Sequence, residues 1–73
     1  TLLLKNDIIN KILDLHGNLK MLFYQEKDGI IYVFCEGLNS YSIFKINKNE
    51  IVIPVSIEKD LRESINIFNK LIN

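Results

Sequence analysis

The chain is poor in the residues that form disulfides and metal sites. It contains one cysteine, Cys35, one histidine, His16, and no tryptophan. A single cysteine excludes a disulfide within the chain, and one thiol with one imidazole is too small a set for a zinc site. We therefore expect neither a metal nor any other cofactor.

Clustered charge and long apolar runs are also missing. Nine basic residues balance nine acidic ones, and the basic residues are dispersed without forming a block. Because phosphate-backbone binding usually needs a clustered basic surface, nucleic acid is disfavoured as a partner. No stretch approaches the roughly 20 apolar residues of a membrane span, and the opening TLLLK is too short and wrongly ordered for a signal peptide. Together with the lone thiol, this predicts a cytoplasmic protein without a membrane partner.

Catalytic patterns are absent as well. The glycines Gly17, Gly29 and Gly37 are isolated, so none belongs to a phosphate-cradling loop. His16 has no Ser or Cys nucleophile at a recognisable spacing and is better explained as the C-terminal residue of a helix. Cys35 lies within a predicted strand, where a free cysteine usually packs as a small apolar residue. We predict that the chain is not an enzyme and has no catalytic, cofactor-binding or metal-binding residues.

The residues that are present predict one folded domain over 1–73. The hydrophobic class makes up 48% of the chain and charged residues make up 25%, which is typical of a globular domain rather than a disordered segment. A domain this short buries only about 60% of the surface that its unfolded chain exposes. We therefore expect further stabilisation from self-association or from a partner.

Apolar residues at helical spacing predict a helix near each end of the chain. The first is predicted from Leu4 to Leu15, followed by a left-handed glycine at Gly17. The second is predicted from Ile57 to Ile72, with Ser56 as its N-cap. The stripe of the first helix is Leu4, Ile8, Ile12 and Leu15. The stripe of the second is Ile57, Leu61, Ile65, Phe68 and Ile72.

The segment between these helices predicts four strands joined by tight turns. Asp28-Gly29 is a strong signal for a type I′ hairpin turn, and Gly37 to Ser40 and Lys48-Asn49 supply the next two turns. Pro54 cannot donate a ladder hydrogen bond, so the fourth strand should lie at an edge of the sheet. The predicted fold is α+β, with the order α-β-β-β-β-α, a four-stranded antiparallel meander, and two helices packed on one face of the sheet.

Counting outward from the turns assigns each strand residue to a partner and a face. The first turn pairs Phe23 with Phe34 and Leu22 with Cys35. The later turns pair Phe34 with Ile43, Ile46 with Ile51, and Phe44 with Ile53. The face assigned to the core carries Leu22, Tyr24, Ile31, Val33, Cys35, Phe44, Ile46, Ile51, Ile53 and Val55. The other face carries an aromatic patch made of Met21, Phe23, Tyr32, Phe34, Tyr41 and Ile43.

This aromatic patch is the predicted functional site. With both helices on the opposite face it would lie in water, and monomers seldom expose a large apolar patch without use. Aromatic residues and methionine are also enriched at the centres of protein interfaces. We therefore predict a non-enzymatic protein–protein interaction module, a homodimer or the partner of another protein, such as a phage- or mobile-element-type inhibitor, an immunity protein or a small regulatory subunit. If one helix instead covers each face, the patch is hidden.

Two other functions compete with this prediction. A small nucleic-acid-binding module could use Tyr24, Tyr32 or Tyr41 as stacking platforms, with Lys20, Lys27 and Lys45 nearby. A small-ligand carrier is the third class, but a core of this size has little room for a pocket of roughly 300 Å³.

Overall fold

The computed structural model describes residues 5–17 and 19–73. In chain order its elements are α1 (Lys5–His16), β1 (Lys20–Lys27), β2 (Ile30–Glu36), β3 (Tyr41–Ile46), β4 (Val52–Glu58) and α2 (Leu61–Ile72). The strands form one antiparallel sheet in the order β1-β2-β3-β4. The predicted α+β class, the element order and the meander are confirmed.

Helix α1 ends at the predicted glycine. Gly17 has a φ of 57°, and its N–H donates to the carbonyl oxygen of Leu13 at 2.9 Å. Ile8 and Ile12 are buried as the helical spacing predicts, whereas Leu15 is exposed. Leu4, the predicted start of this helix, lies outside the described residues.

The first two hairpins have the predicted register over most of their length. Asp28 and Gly29 both have positive φ, at 55° and 80°, as a type I′ turn requires. This turn places Phe23 opposite Phe34. On the next strand, Phe34 lies opposite Ile43. The pairings derived from these two turns are therefore confirmed from Phe23 onward.

A bulge in β1 changes the register before Phe23. Leu22 is an extra residue between Met21 and Phe23, so that Met21 rather than Leu22 lies opposite Cys35. The predicted pair of Leu22 with Cys35 is wrong for this reason. Because successive strand residues point to opposite faces, the bulge moves Met21 to the face opposite the predicted one.

The third turn is longer than predicted. The side-chain oxygen of Asn47 accepts the N–H of Ile51 at 3.1 Å, and Glu50 adopts a left-handed φ of 61°. These two features hold an extra residue in the loop, so Ile46 pairs with Val52 rather than with Ile51. The predicted pair of Ile46 with Ile51 is wrong because the sequence offers no glycine to mark this left-handed position.

The register of β4 is displaced along its whole length. Phe44 lies opposite Pro54 rather than Ile53, and the register shifts again between Ile43 and Phe44. Ile51 and Ile53, which were predicted on the buried face, are exposed. The predicted position of the Pro54 strand at an edge of the sheet is confirmed.

Helix α2 begins later than the sequence predicts. Ile57 and Glu58 belong to β4, where Glu58 lies opposite Tyr41 at the end of β3. The N-cap is Asp60, whose Oδ2 accepts the N–H of Glu63 at 3.1 Å. The predicted start at Ile57 is wrong because the strand continues for as long as β3 offers pairing groups.

The two helices cover opposite faces of the sheet. The α1-side core consists of Ile8, Ile12, Ile31, Val33, Cys35, Phe44 and Ile46. The α2-side core consists of Phe34, Ile43 and Phe68, with partly buried residues around them: Tyr32, Tyr41, Val55, Ile67, Leu71 and Ile72. The predicted placement of both helices on one face is therefore wrong.

The physical reason lies in the two central strands. Along β2 and β3, apolar residues occur at successive positions, for example Val33 with Phe34 and Ile43 with Phe44, and all four are buried. A strand that is apolar on both faces needs a cover on each side. The apolar stripe of one helix covers one face of the sheet, so the two helices must pack on opposite faces.

Candidate functional site

The predicted aromatic patch is not an exposed surface. Phe34 and Ile43 are fully buried beneath α2, where the Phe34 and Phe68 ring centroids lie 5.7 Å apart in an edge-to-face arrangement. Their prediction as exposed interface residues is wrong because the patch is the docking site of the chain's own second helix. In the monomer these two side chains stabilise the fold.

The other members of the patch are separated from one another. Met21 packs against the α1-side core because the β1 bulge moves it to that face. Tyr32 and Tyr41 are half-buried at the margin of the α2-side core. The structure therefore does not bring the six predicted residues together on one accessible face.

Phe23 is the member that remains substantially accessible, with 45% of its surface exposed. Its ring stacks on Phe34 at a centroid distance of 5.2 Å and meets the edge of Phe68 at 4.8 Å. Such offset and edge-to-face pairs hold an aromatic ring in one orientation. Phe23 therefore presents a fixed apolar surface at the border of the α2-side core.

Phe23 is the middle one of three exposed aliphatic or aromatic residues in succession along β1, whose side chains do not share one face because successive strand residues point to opposite sides. Its neighbours Leu22 and Tyr24 are 40% and 41% exposed. These three residues, Leu22-Phe23-Tyr24, are called the β1 edge strip below. Because β1 is the first strand in the sheet order, it has a strand neighbour on one side only, and the strip lies at an open edge of the sheet.

The backbone of β1 also offers outward-pointing hydrogen-bonding groups at this edge. Lys27 and Ile30 flank a two-residue turn, so they form a hydrogen-bonded pair. Every second residue of a strand bonds to the same neighbouring strand, so Gln25, two residues before Lys27, also directs its N–H and C=O toward β2. Tyr24 and Glu26 direct theirs away from the sheet, where a further strand could pair with them. The Glu26 carbonyl oxygen accepts one long bond, from the exposed Gln25 Nε2 at 3.4 Å, which an added strand would displace.

The opposite edge of the sheet is less suited to pairing. Its strand, β4, contains Pro54, which has no N–H to donate. Proline on an edge strand is a common means of preventing strand addition. The β1 edge has a bulge and charged residues at its ends, but the central stretch from Phe23 to Glu26 carries neither a proline nor a basic side chain.

One basic side chain of β1 is held by the end of α2. Lys27 Nζ donates to the carbonyl oxygen of Asn73 at 2.7 Å. A cation at this position is favourable because the C-terminal carbonyls of a helix carry partial negative charge. This contact places the C-terminal end of α2 beside the end of β1.

Sequence reasoning missed Leu22 and Tyr24 as surface residues. It assigned both to the buried face because they alternate with Phe23 along the strand. The meander order contained the missing signal, since the first strand of a meander must be an edge strand and its side chains have neighbours on one side only.

The tyrosines considered for nucleic-acid stacking do not share a surface. Tyr24 lies opposite Val33 and therefore on the α1 side, whereas Tyr32 and Tyr41 flank the α2-side core. Both of the latter are half-buried. The structure thus does not assemble the three rings into one stacking platform.

The residue types that could carry chemistry are the cysteine, the histidine and possible metal ligands. Cys35 is fully buried, and burial raises the pKa of its thiol to about 11. A thiol in this environment is a poor nucleophile because the thiolate is the reactive form. Residue 16 ends α1, and the side chain of His16 is not among those that the structure describes. Within the described residues, no three His, Cys, Asp or Glu side chains are grouped as a metal site would require.

Two shallow depressions lie away from β1. One lies beside α2 and is lined by Asp60, Leu61, Arg62, Ile65 and Asn66. The other lies between α1 and the third turn, where Lys11 Nζ is 3.8 Å from a Glu50 carboxylate oxygen. Exposed ion pairs of this kind contribute at most about 1 kcal/mol, so this pair does not define a specific site.

Comparisons of the chain with protein-family models, with curated proteins and with solved structures found no match. Neither helix in the described part of the chain is long and apolar enough to cross a bilayer.

Proposed function

We propose that this chain is a non-enzymatic protein–protein interaction module that binds its partner through the β1 edge strip. The observation that carries the proposal is the exposure of three consecutive large apolar side chains, Leu22, Phe23 and Tyr24, on an edge strand. Aromatic and aliphatic anchors of this kind are typical of interface centres. The site proposed from the sequence thus moves from a sheet face to the adjoining edge.

The size of the strip indicates how the partner is held. Burying one large apolar side chain completely contributes about 1.5–3 kcal/mol, so covering the exposed fractions of the three contributes about 2–4 kcal/mol. The loss of translational and rotational freedom on association costs at least about 4 kcal/mol. The strip alone therefore does not hold a partner. The outward N–H and C=O groups of Tyr24 and Glu26 must also bond to the partner, which requires an extended segment that adds to the sheet.

The proposal includes no catalytic role. The only thiol is buried and has a raised pKa, and the three residues of the β1 edge strip are aliphatic or aromatic. A small partner-binding protein of this kind fits the classes predicted from the sequence, namely an inhibitor, an immunity protein or a regulatory subunit.

Site-specific photo-crosslinking tests the proposal. A benzophenone amino acid replaces Tyr24 in the whole chain, and a second variant carries it at Lys59, which is exposed and lies outside β1. Illumination in cells of the source organism should give a protein adduct at position 24 and little or none at position 59. Equal yields at the two positions, or no adduct at position 24, would show that the β1 edge strip is not an interaction site.

A further inference from the structure

The hydrogen-bonding pattern of β1 restricts how another strand can pair with it. Tyr24 and Glu26 point their backbone groups outward, whereas Phe23, Gln25 and Lys27 point theirs toward β2. The bulge at Leu22 interrupts this alternation. The regular part of the open edge is therefore short, and it is centred on Gln25.

We propose that this edge pairs with the same edge of a second copy of the chain. The two β1 strands run antiparallel about a two-fold axis at Gln25 and join the two sheets into one. This inference rests on the proposed function and deepens it by naming the partner.

The two-fold register at Gln25 satisfies the outward backbone groups. It places Tyr24 of each copy opposite Glu26 of the other, and both residues carry outward N–H and C=O groups, so each pair exchanges both bonds. Moving the axis to Tyr24 would place Glu26 opposite the bulged Leu22 of the second copy. Moving it to Phe23 would place Tyr24 opposite that same irregular position. The register at Gln25 avoids the bulge in both copies.

The same register brings complementary side chains together. On the α2 side, Phe23 lies opposite Lys27 of the second copy, so the exposed part of the ring meets an aliphatic stem that ends in an ammonium group. On the α1 side, Tyr24 lies opposite Glu26. No two like charges face each other across the axis. Like charges directly opposite are destabilising in a sheet, so the β1 sequence is compatible with its own copy.

The helices leave room for this arrangement. A two-fold axis perpendicular to the sheet places both α2 helices on one face, each with its C-terminal end near its own Lys27. In the register at Gln25, Lys27 lies opposite Phe23 of the second copy, so the two helix ends are separated by four residues along the strands, or about 13 Å. Because a helix with its side chains is about 10 Å wide, the two ends fit side by side.

Residue-specific amide exchange of the unmodified chain tests this pairing. As the concentration rises and the 8.5 kDa chain doubles in mass, the amides of Tyr24 and Glu26 should become protected. The amide of Gln25, which bonds to β2 within each copy, should be protected equally at all concentrations and serves as the internal control. Free exchange of Tyr24 and Glu26 in a sample shown to be dimeric would overturn the proposed pairing.

A thiol cross-link tests the register. In a non-hydrogen-bonded pair the Cα atoms are about 4.5 Å apart, within the about 4.4–6.8 Å range of disulfides. Gln25→Cys should therefore give a covalent dimer on mild oxidation. The matched control is Glu26→Cys, whose thiols would be two residues out of register, with Cα atoms about 8–9 Å apart. Cys35 is buried and should not compete. Equal cross-linking of the two variants would contradict the register.

The outcome also separates this inference from the proposed function. If the chain stays monomeric at all concentrations while the crosslinker at position 24 captures a different protein, the second copy is the wrong partner and the β1 edge strip remains an interaction site. If neither a dimer nor an adduct forms, both proposals are wrong.

Discussion

The two faces of the sheet differ in the chemistry of their cores and in how completely they are closed. The α1-side core is aliphatic apart from Phe44 and Cys35, and its members are buried. The α2-side core is built from Phe34, Phe68 and Ile43, and its aromatic contacts continue to the half-exposed Phe23. An apolar cluster that reaches an open edge can stabilise the fold and bind a partner with the same side chains. This difference supports the proposal that β1 binds a partner.

The largest expected effect concerns the centre of the α2-side core. Phe68→Ala removes a buried ring that contacts Phe23 and Phe34. It should lower the free energy of unfolding by about 3–5 kcal/mol, measured by urea denaturation. The matched control is Ile65→Ala on the same helix, which is partly exposed and should cost much less. Equal losses would show that α2 does not dock through Phe68.

The next effect tests how completely the α1-side core is closed to water. Burial raises the pKa of Cys35 from its ordinary value of 9.0 to about 11. The unfolded chain therefore loses this proton at a lower pH than the folded chain does. The associated stability is fully present below pH 9 and is lost as the pH rises toward 11, with a total loss of about 2–3 kcal/mol.

Denaturation across this pH range, compared with that of Cys35→Ala, isolates the thiol because the two proteins differ in no other titratable group. The wild type should lose more stability than the variant as the pH rises. Identical slopes would mean that water reaches Cys35 in the folded state.

The smallest effect concerns a polar atom in the buried surface of α2. The Ser64 hydroxyl is buried and has no hydrogen-bond partner among the described residues. Ser64→Ala removes this desolvated group and favours the helix, so it should raise the free energy of unfolding by about 1 kcal/mol. Ser64→Thr keeps the hydroxyl and should bring no such gain. A loss of stability in the alanine variant would reveal a partner for the hydroxyl.

Sequence reasoning succeeded where one residue type determines the local backbone. Asp28-Gly29 fixes a type I′ turn, and this turn alone aligns Phe23 with Phe34. Pro54 correctly marks an edge strand. In each case the residue's own steric properties leave few alternatives, so neighbouring structure is not needed for the prediction.

Sequence reasoning failed where a strand or a turn contains an extra residue that no glycine marks. Leu22 forms the β1 bulge and Glu50 takes a left-handed φ, and neither residue type signals such a conformation. The predicted start of α2 was wrong for a related reason, since both Ser56 and Asp60 are acceptable N-caps. Pairing of Glu58 with β3 decides between them, and a one-dimensional pattern does not contain that tertiary contact.

The candidate site could be predicted only in part. Phe23 was identified from the sequence, but its grouping with Phe34 and Ile43 assumed an uncovered sheet face. Apolar residues on both faces of β2 and β3 do not reveal which helix covers which face. The position of the β1 edge strip depends on two tertiary features, the packing of α2 over Phe34 and the absence of a strand neighbour on the outer side of β1 in the described sheet.

The path of α2 has a consequence for the order in which the molecule is completed during synthesis. The helix contacts all four strands, and its C-terminal end is held by Lys27, across a sequence separation of 46 residues. On a ribosome, which releases the N-terminal end first, all four strands emerge before Phe68 does. Until α2 has emerged and packed on the sheet, Phe34 and Ile43 are not covered by Phe68. The aromatic side of the sheet is therefore shielded later than the α1 side, and during that interval it is the face more exposed to misassembly and to chaperones.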